Sequence, residues 1–319
     1  MALGFTTIGW AQTNSTLWFV RLYFQAKDLK VYEITWNTQK GWHKGNGGSP
    51  LFTARRDSPL SAVVSKHHTH RSIFYIDTDG AIRECRFSDQ KGYWEDAGTL
   101  PASQVADGSS LAAIDSDFGQ QDEGVPGVRI YYQQQDNSIQ ELYYDGAWHT
   151  GKSFDGAVKG TALTAINANQ QDARAHRLHL FYCKTNGYIN HLSTDSGDWK
   201  AEQLLWTPKA NTALTCVAWD NSGSEYEVRV YYSDASSSGK VQELGWVSTT
   251  GQWTASPKIN YTTLTPGDKP VGAVTDLGPY GRIISVYENY GDNTIGEMCF
   301  QEGKWTPLFT IKWDSLKNA

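Results

Sequence analysis

Six copies of one pattern follow each other along the chain, and this repeat constrains the fold more than any other feature. Each copy contains an alternating segment such as Arg-Ile-Tyr-Tyr, a turn rich in Asp, Asn, Gly and Ser, and a third segment that usually ends at a Glu. These segments start at positions 21, 72, 129, 179, 229 and 285, which are 51, 57, 50, 50 and 56 residues apart. A regular period of this length indicates that each copy is one supersecondary unit stacked on its neighbours.

Every repeat has the pattern of four short strands. An apolar run such as Leu-Ser-Ala-Val-Val (60–64) comes first, and a segment with a Trp, such as Tyr93-Trp94, closes the repeat. Two-residue periodicity between Gly, Asn and Asp turns predicts antiparallel hairpins, and four-stranded repeats of about this length are propeller blades. We therefore predict an all-β fold, a six-bladed β-propeller with four-stranded antiparallel blades, as one domain over residues 1–319. The predicted repeats span about 6–56, 57–107, 108–159, 160–209, 210–266 and 267–319.

Composition agrees with strands and excludes several classes of function. Trp, Tyr and Phe make up 13% of the chain, and aromatic residues favour pleated, half-buried surfaces. The net charge of −6 gives no basic surface for nucleic acid, and no apolar run approaches the roughly 18 residues of a membrane helix. We expect no nucleic-acid binding and no membrane insertion. The N-terminus lacks the basic and apolar stretches of a signal peptide, so we expect a cytoplasmic protein or one released to the cell surface by another route.

The four cysteines are far apart in sequence and form no Cys-x-x-Cys pair. They are Cys85, Cys183, Cys216 and Cys299. This spacing indicates neither a disulfide framework nor a zinc site. We predict buried free thiols, and we expect no metal and no cofactor.

A charged pair recurs with the repeat, although a structural repeat needs only its apolar residues. Arg opens the alternating segment in three repeats, and a Glu follows twelve or fourteen residues later on the next predicted strand. One interpretation is a structural ion pair that ties the two strands together. The other is a binding set, because an aromatic residue and the closing Trp follow each Glu. Guanidinium and carboxylate offer charge-assisted hydrogen bonds to sugar hydroxyls, and an indole face covers the C–H side of a sugar ring.

These repeats resemble those of the fungal fucose-specific lectins of the Aleuria aurantia lectin family, over about residues 6–310. The resemblance implies a six-bladed propeller with a pocket between consecutive blades. Arg and Glu of one blade would bind the ring oxygen and hydroxyls of L-fucose, and aromatic residues of the next blade would stack on the sugar and enclose its methyl group. It also implies a metal-independent, homodimeric agglutinin whose partners are L-fucose and fucosylated glycans and glycoproteins.

Carried over residue by residue, the resemblance predicts three complete pockets. The first would use Arg21 and Glu33 with Phe87 and Trp94; the third Arg129 and Glu141 with Trp199; and the fifth Arg229 and Glu243 with Phe300 and Trp305. In the third pocket Thr194 replaces the usual aromatic residue, and in the fifth the turn is two residues longer.

The other three pockets depart from the pattern. The second has Ser72 and Glu84 with Tyr144 and Trp148; the fourth His179 and His191 with Trp246 and Trp253; and the sixth Ser285 and Glu297 with Trp36 and Trp42. Arg71 is one residue out of phase, so we expect its side chain on the opposite face of the strand. Because Ser cannot supply the planar fork of Arg, we predict weak, altered or absent sugar binding at these pockets and three strong sites. Two histidines without a third ligand do not indicate a metal site.

Two other functions stay open at this point. A propeller glycosidase of the sialidase type would need one catalytic set, whereas this chain spreads similar polar sets over its repeats. A protein-interaction scaffold of the WD40 type would need Gly-His and Trp-Asp signatures, which do not recur here. We therefore predict a multivalent, non-enzymatic lectin.

Overall fold

A computed structural model describes residues 4–11, 17–64, 70–115, 127–168, 177–195, 198–208, 213–220, 225–233, 241–255, 271–278, 281–290 and 293–318. Contacts between Cα atoms group the chain into two compact units. The first comprises Met1–Leu100 and Lys269–Ala319, and the second comprises Pro101–Asp268. The single domain expected from the repeat stays a prediction.

The first three repeats each fold into one antiparallel sheet. Sheet 1 contains β1 (Phe5–Ala11), β2 (Trp18–Gln25), β3 (Lys30–Asn37), β4 (Gly41–Lys44) and the short β5 (Phe52–Thr53), which pairs with β3; sheet 2 contains β6 (Leu60–Val64), β7 (His70–Ile76), β8 (Ile82–Ser88) and β9 (Tyr93–Thr99); sheet 3 contains β10 (Leu111–Asp115), β11 (Val128–Gln133), β12 (Ile139–Tyr144) and β13 (Trp148–Phe154).

The last three repeats follow the same plan. Sheet 4 contains β14 (Leu163–Asn167), β15 (Leu178–Cys183), β16 (Ile189–Thr194) and β17 (Lys200–Leu204); sheet 5 contains β18 (Leu214–Asp220), β19 (Tyr226–Ser233), β20 (Val241–Val247) and β21 (Gln252–Ala255); sheet 6 contains β22 (Val271–Gly278), β23 (Gly281–Asn289), β24 (Thr294–Gln301) and β25 (Lys304–Lys312). Neighbouring strands in each sheet are consecutive in sequence, so the predicted four-stranded meanders are confirmed.

Helices contribute little to the structure. The described residues contain two 3₁₀ helices, Asn46–Gly48 and Trp313–Ser315. None of the helices in this part of the chain has the length and apolar character needed to cross a membrane.

Sheets 6, 1 and 2 form the first unit, and sheets 3, 4 and 5 form the second. Within each unit the first strands of successive sheets lie against one another: β22 and β6 flank β1, and β10 and β18 flank β14. A separate hydrophobic cluster fills each of these four sheet–sheet interfaces. The clusters include Ile8 and Ile73 between sheets 1 and 2, Leu22 and Val274 between sheets 6 and 1, Tyr131 and Leu180 between sheets 3 and 4, and Phe181 and Val230 between sheets 4 and 5.

Burial decreases from the middle strands to the last strand of a sheet. The strand β15 is buried at every residue, whereas β17 is exposed except at Leu204. The chain can therefore carry near-continuous apolar runs in the middle strands and polar residues at the outer edge. The four cysteines all lie in the buried strands as free thiols, as predicted, and burial raises the pKa of Cys85 and Cys216 to about 12.

An irregularity in the ladder recurs where the third strand carries its Glu. The register between the third and fourth strands shifts next to Glu84 in sheet 2, at Glu141 in sheet 3 and next to Glu297 in sheet 6. In sheet 4, which has His191 at this position, the register is regular. A β-bulge re-aims the side chain beside it, so it helps to set the direction of each carboxylate.

Candidate functional site

The polar residues predicted from the repeat lie on the second and third strands of their sheets. In sheet 1 the register pairs Tyr23 with Glu33 and Arg21 with Thr35, so Arg21 and Glu33 are diagonal neighbours on one face. Arg21 Nε is 3.4 Å from Glu33 Oε1, and the Tyr23 hydroxyl donates to the same oxygen at 3.3 Å. Burial raises the pKa of the Glu33 carboxyl, and the nearby Arg21 guanidinium opposes this shift.

The aromatic side of the first pocket comes from sheet 2. The Trp94 ring lies edge-on to Tyr23 at 5.8 Å, and its indole group forms a hydrogen bond with Glu33. The Phe87 ring is 5.5 Å from that of Trp94. The structure thus brings Arg21, Glu33, Phe87 and Trp94 together between sheets 1 and 2. We refer to this arrangement as site 1.

Sequence reasoning missed two further residues of site 1. Arg71 lies on the opposite face of its strand from Ser72, as its phase predicts, and this face is turned towards sheet 1. Its guanidinium lies 4.0 Å from the centre of the Phe87 ring and 5.6 Å from that of Trp10. The Arg21 guanidinium lies 5.2 Å from the same Trp10 ring. Site 1 therefore has two guanidinium groups beside one indole.

The same arrangement recurs between sheets 3 and 4 as site 3. Arg129 Nη1 donates to Glu141 Oε1 at 2.5 Å, and the Tyr131 hydroxyl donates to this oxygen at 2.9 Å. The backbone N–H of Lys152 donates to the other carboxylate oxygen at 3.1 Å. The Trp199 ring lies edge-on to Tyr131 at 6.2 Å. Thr194, which replaces the usual aromatic residue, is buried.

The predicted polar pair of sheet 5 is also formed. Arg229 Nε is 3.5 Å from Glu243 Oε1, and Arg229 Nη2 also donates to Glu227. The guanidinium lies 5.0 Å from the centre of the Trp219 ring in the same sheet. The aromatic residues predicted for the fifth pocket, Phe300 and Trp305, belong to the first unit, where their rings are 5.4 Å apart. The longer turn, at 234–240, lies outside the described residues.

Sheet 2 has a guanidinium that the sequence analysis did not predict for its polar set. The Ser72 hydroxyl donates to Glu84 Oε1 at 2.6 Å. Arg86 Nε and Nη2 donate to the two oxygens of Glu84, both at 2.8 Å. The expectation that this set lacks an Arg is therefore wrong, because residues two apart on a strand share a face and Arg86 follows Glu84 by two. Its predicted aromatic partners, Tyr144 and Trp148, lie 5.3 Å apart in sheet 3.

Between sheets 4 and 5 the charged pair is replaced by two imidazoles that lie in parallel planes and are joined by a hydrogen bond, and we call this arrangement site 4. His179 Nδ1 is 2.8 Å from His191 Nε2, and His191 Nδ1 is 3.5 Å from the Glu202 carboxylate. Burial lowers the pKa of both histidines. The Trp246 ring is 6.0 Å from His179, and the Trp253 ring is 5.2 Å from His191. Site 4 therefore keeps its aromatic side and favours neutral rings in place of the charged pair.

Site 6 lies between sheets 6 and 1 and has a carboxylate with hydroxyl partners. The Tyr287 hydroxyl donates to Glu297 at 2.9 Å, and Ser285 also hydrogen-bonds to this carboxyl group. Burial raises the pKa of Glu297. Trp42 lies 5.9 Å from Tyr287, and Trp36 lies 6.3 Å from Trp42.

The closing Trp has one position in all four of these sites. It lies edge-on to an aromatic residue on the second strand of the preceding sheet. The ring centres are 5.6 to 6.2 Å apart, and the interplanar angles are 82° to 87°. The pairs are Trp94 with Tyr23, Trp199 with Tyr131, Trp253 with Phe181, and Trp42 with Tyr287. Each site thus combines polar side chains of one sheet with an indole of the next. Such a set suits a small neutral ligand with hydroxyl groups on one side and C–H groups on the other. Among the described residues, no group of three or more His, Cys, Asp and Glu is placed to hold a metal ion.

Comparison with solved structures shows the fold class. The crystal structure of a fungal lectin, described as the six-bladed β-propeller of Aleuria aurantia lectin, is 22% identical and matches with a TM-score of 0.81 over 98% of this chain and 96% of that chain. A variant of the same lectin in complex with α-methyl-L-fucoside matches with a TM-score of 0.80 at 22% identity over the same shares of the two chains. The predicted fold, a six-bladed β-propeller with four-stranded antiparallel blades, is confirmed.

Sequence comparisons agree with this result. The fucose-specific lectin of Aleuria aurantia is 26% identical over 259 residues, which are 79% of this chain and 76% of that protein. The fucose-specific lectin of Aspergillus fumigatus is 23% identical over 232 residues, 71% of this chain and 70% of that protein. The family model described as fungal fucose-specific lectin matches residues 5–260. The chain therefore belongs to the family of fungal fucose-specific lectins.

Proposed function

We propose that this protein is a multivalent lectin that binds L-fucose, free or as part of glycans and glycoproteins. The observation that carries the proposal is the recurrence of one arrangement in sites 1 and 3. In both, a guanidinium, a buried carboxylate and a tyrosine hydroxyl meet the closing Trp of the next sheet. Family membership and the fucoside complex of a structural neighbour support the same ligand.

The chemistry of sites 1 and 3 fits a deoxysugar. A guanidinium presents fixed N–H donors and a carboxylate presents acceptors, so adjacent hydroxyls of one sugar can be bound by both groups. The carboxylates of Glu33 and Glu141 are buried, so they are held at fixed positions, while Arg21 and Arg129 keep part of their side chains accessible to a ligand. The indole on the opposite side offers an apolar surface to the ring and to a methyl group.

We also propose that binding is not followed by hydrolysis. Most glycosidases use two carboxyl groups on either side of the scissile bond, one of them acting as an acid. In sites 1 and 3 the carboxylate of the polar set is paired with a guanidinium instead. A pair of this kind suits binding of hydroxyl groups rather than proton transfer.

Function would depend on several sites acting together, because a shallow monosaccharide pocket binds weakly. Linking weak sites in one chain raises the avidity for a dense glycan surface by roughly 10² to 10⁴. The homodimer implied by the resemblance would double the number of sites, and it stays a prediction. We expect agglutination of fucosylated cells and inhibition of this agglutination by L-fucose.

A glycan array followed by calorimetry with methyl α-L-fucoside tests the proposal. We expect binding to fucosylated glycans only, competition by free L-fucose, and loss of agglutination in the triple variant Arg21→Ala, Arg129→Ala, Arg229→Ala. The variant Arg83→Ala is a matched control, because Arg83 pairs with Asp96 outside these polar sets. Silence towards every fucosylated glycan, or hydrolysis of a chromogenic fucoside, would contradict the proposal.

A further inference from the structure

We propose that site 1 is selective for fucosylated sugars that carry a negatively charged group, and that Arg71 binds this group. The inference rests on the proposed function and adds a class of ligand to it. Four observations carry it: the position of Arg71 in the repeat, the way its side chain is held, a buried N–H group without a partner, and a second guanidinium near Glu33.

The first step is the position of Arg71 in the repeat. Arg71 on β7 lies directly opposite Phe87 on β8. In the other five sheets the residue at the same place in the register is aliphatic and buried; these residues are Val20, Val128, Leu178, Val228 and Ile284. The fold therefore does not need a charge here, and a buried charge is unfavourable unless it is paired. Departures of this kind from the pattern of a fold are typical of functional sites.

The second step is the way Arg71 is held. Its side chain is 9% exposed, and its guanidinium lies 4.0 Å from the centre of the Phe87 ring and 5.6 Å from that of Trp10. Aromatic rings attract a cation, and the planar guanidinium stacks on them. Arg71 Nη1 also donates to Asp89 at 3.3 Å, but the Asp89 side chain is 51% exposed, so this ion pair is weak. The surroundings thus fix the guanidinium and leave most of its hydrogen-bonding capacity unused.

The third step is an N–H group without a partner. Arg71 Nε is buried, and among the described residues no acceptor lies within hydrogen-bond distance of it. Such a group is rare in folded proteins, and a ligand oxygen would satisfy it. In Arg86, Nε and Nη2 together bind the two oxygens of the Glu84 carboxylate. The same edge of Arg71 suits two oxygens of a sulfate or carboxylate, because Asp89 takes Nη1 on the other edge.

The fourth step is the charge around Glu33. Burial raises the pKa of Glu33, and the guanidinium groups of Arg21 and Arg71 both oppose this shift, so both lie near the carboxylate. In site 3 the residue that corresponds to Arg71 is Leu178. A neutral sugar needs no second guanidinium, so the additional charge of site 1 suits an anionic ligand. Fucose has no carboxyl group, so its negative charge would come from a sulfate ester on a hydroxyl or from the carboxylate of an attached sugar.

Calorimetry tests this preference at site 1 in the background Arg129→Ala, Arg229→Ala. The probes are methyl α-L-fucoside, its three mono-O-sulfates, and a disaccharide of L-fucose and glucuronic acid, so a sulfate is distinguished from a neighbouring carboxylate. We expect at least one anionic probe to bind about 10-fold more tightly than methyl α-L-fucoside, because hydrogen bonds between charged groups are stronger than neutral ones. At site 3, in the background Arg21→Ala, Arg229→Ala, we expect no such preference. Equal or weaker binding of every anionic probe at site 1 would refute the inference.

Three variants assign the preference to Arg71. Arg71→Leu introduces the residue that sheet 4 has at this position, so we expect the protein to fold and the preference for the anionic probe to disappear. Asp89→Asn removes the carboxylate that competes for Arg71, and we expect it to increase the preference. Arg83→Ala is the control, because Arg83 pairs with Asp96, and we expect both affinities to stay unchanged. An unchanged preference in Arg71→Leu would show that Arg71 has only a structural role.

A crystal grown with the tightest anionic probe gives an independent result. We expect an oxygen of its sulfate or carboxylate within about 3.2 Å of the Arg71 guanidinium. An anionic group bound away from Arg71 would overturn the inference. Binding of methyl α-L-fucoside at site 1 without any preference for an anionic probe would refute this inference and leave the proposed function intact. Absence of binding for every fucoside, neutral or anionic, would refute both.

Discussion

Glycine at position 151 gives the most direct test of how site 3 is built. Gly151 lies in β13 beside the bulge at Glu141. A Cβ atom added at this glycine would lie 2.2 Å from Glu141 Oε2, whereas ordinary van der Waals contact begins at 3.4 Å. In Gly151→Ala the carboxylate must therefore retreat by about 1.2 Å. The chemistry of Arg129, Glu141 and Trp199 stays the same, and only the position of the carboxylate changes.

The size of the effect follows from what holds Glu141. Its oxygens accept hydrogen bonds from Arg129, Tyr131 and the backbone of Lys152, and its side chain is 3% exposed, so solvent cannot replace a broken bond. A hydrogen bond to a charged group contributes about 1.5 to 3 kcal/mol. Misplacing the carboxylate by 1 Å loses at least one such bond, within the site or to the sugar. We expect the affinity of site 3 for fucose to fall by about 10- to 100-fold.

Calorimetry with methyl α-L-fucoside measures this affinity in the background Arg21→Ala, Arg229→Ala, in which site 3 keeps its guanidinium. Gly146→Ala, in the same sheet, is the control. Apart from its two chain neighbours, no heavy atom of the described residues lies within 4 Å of the added Cβ there. The φ of 109° strains an alanine, so we expect this variant to lose about 1 to 2 kcal/mol of stability and to keep its affinity. An unchanged dissociation constant in Gly151→Ala would refute the claim that a fixed carboxylate is needed.

Two further predictions concern buried titratable groups. Burial lowers the pKa of His179 and His191 below that of an unfolded histidine, about 6.5, so the unfolded chain binds more protons as the pH falls through this value. We expect the melting temperature to decrease between pH 7 and pH 5, and to decrease less in the double variant His179→Gln, His191→Gln; an equal decrease in both proteins would contradict this origin. Burial also raises the pKa of Cys183 to about 11 and of Cys85 to about 12, so we expect a disulfide reagent at pH 8 to modify the native protein slowly and the unfolded protein at once. Rapid labelling of the folded protein would show that these strands open readily.

The sequence predicted the parts of this protein that depend on local periodicity. Strand order, the four-stranded meander and the phase of the closing Trp all follow from alternation and repeat length. Contacts that depend on register between strands were harder to predict. Arg86 was missed because a search for Arg on the second strand ignores the position directly opposite on the third. Trp10 was missed because nothing in the first strand shows that this residue lies near both Arg21 and Arg71.

The imidazole pair illustrates the same limit. Two histidines at the positions of Arg and Glu predicted the loss of the charged pair, and the structure agrees. The sequence did not predict that Glu202, on the fourth strand, would lie opposite His191 and within 3.5 Å of its Nδ1 atom. That contact depends on the regular register of sheet 4, which differs from the bulged register next to Glu84, Glu141 and Glu297.

Since the polar set and the indole of a site come from successive repeats, no single repeat encodes a complete site. Within one unit, the number of complete sites is one less than the number of sheets. A peptide with a single repeat would have a polar set without its indole and an indole without its polar set. A substitution such as Trp94→Ala therefore acts on the repeat before the one that contains it. Loss of the first or the fourth repeat during evolution would damage the sites on both sides of it, so we expect selection to act on neighbouring repeats in pairs.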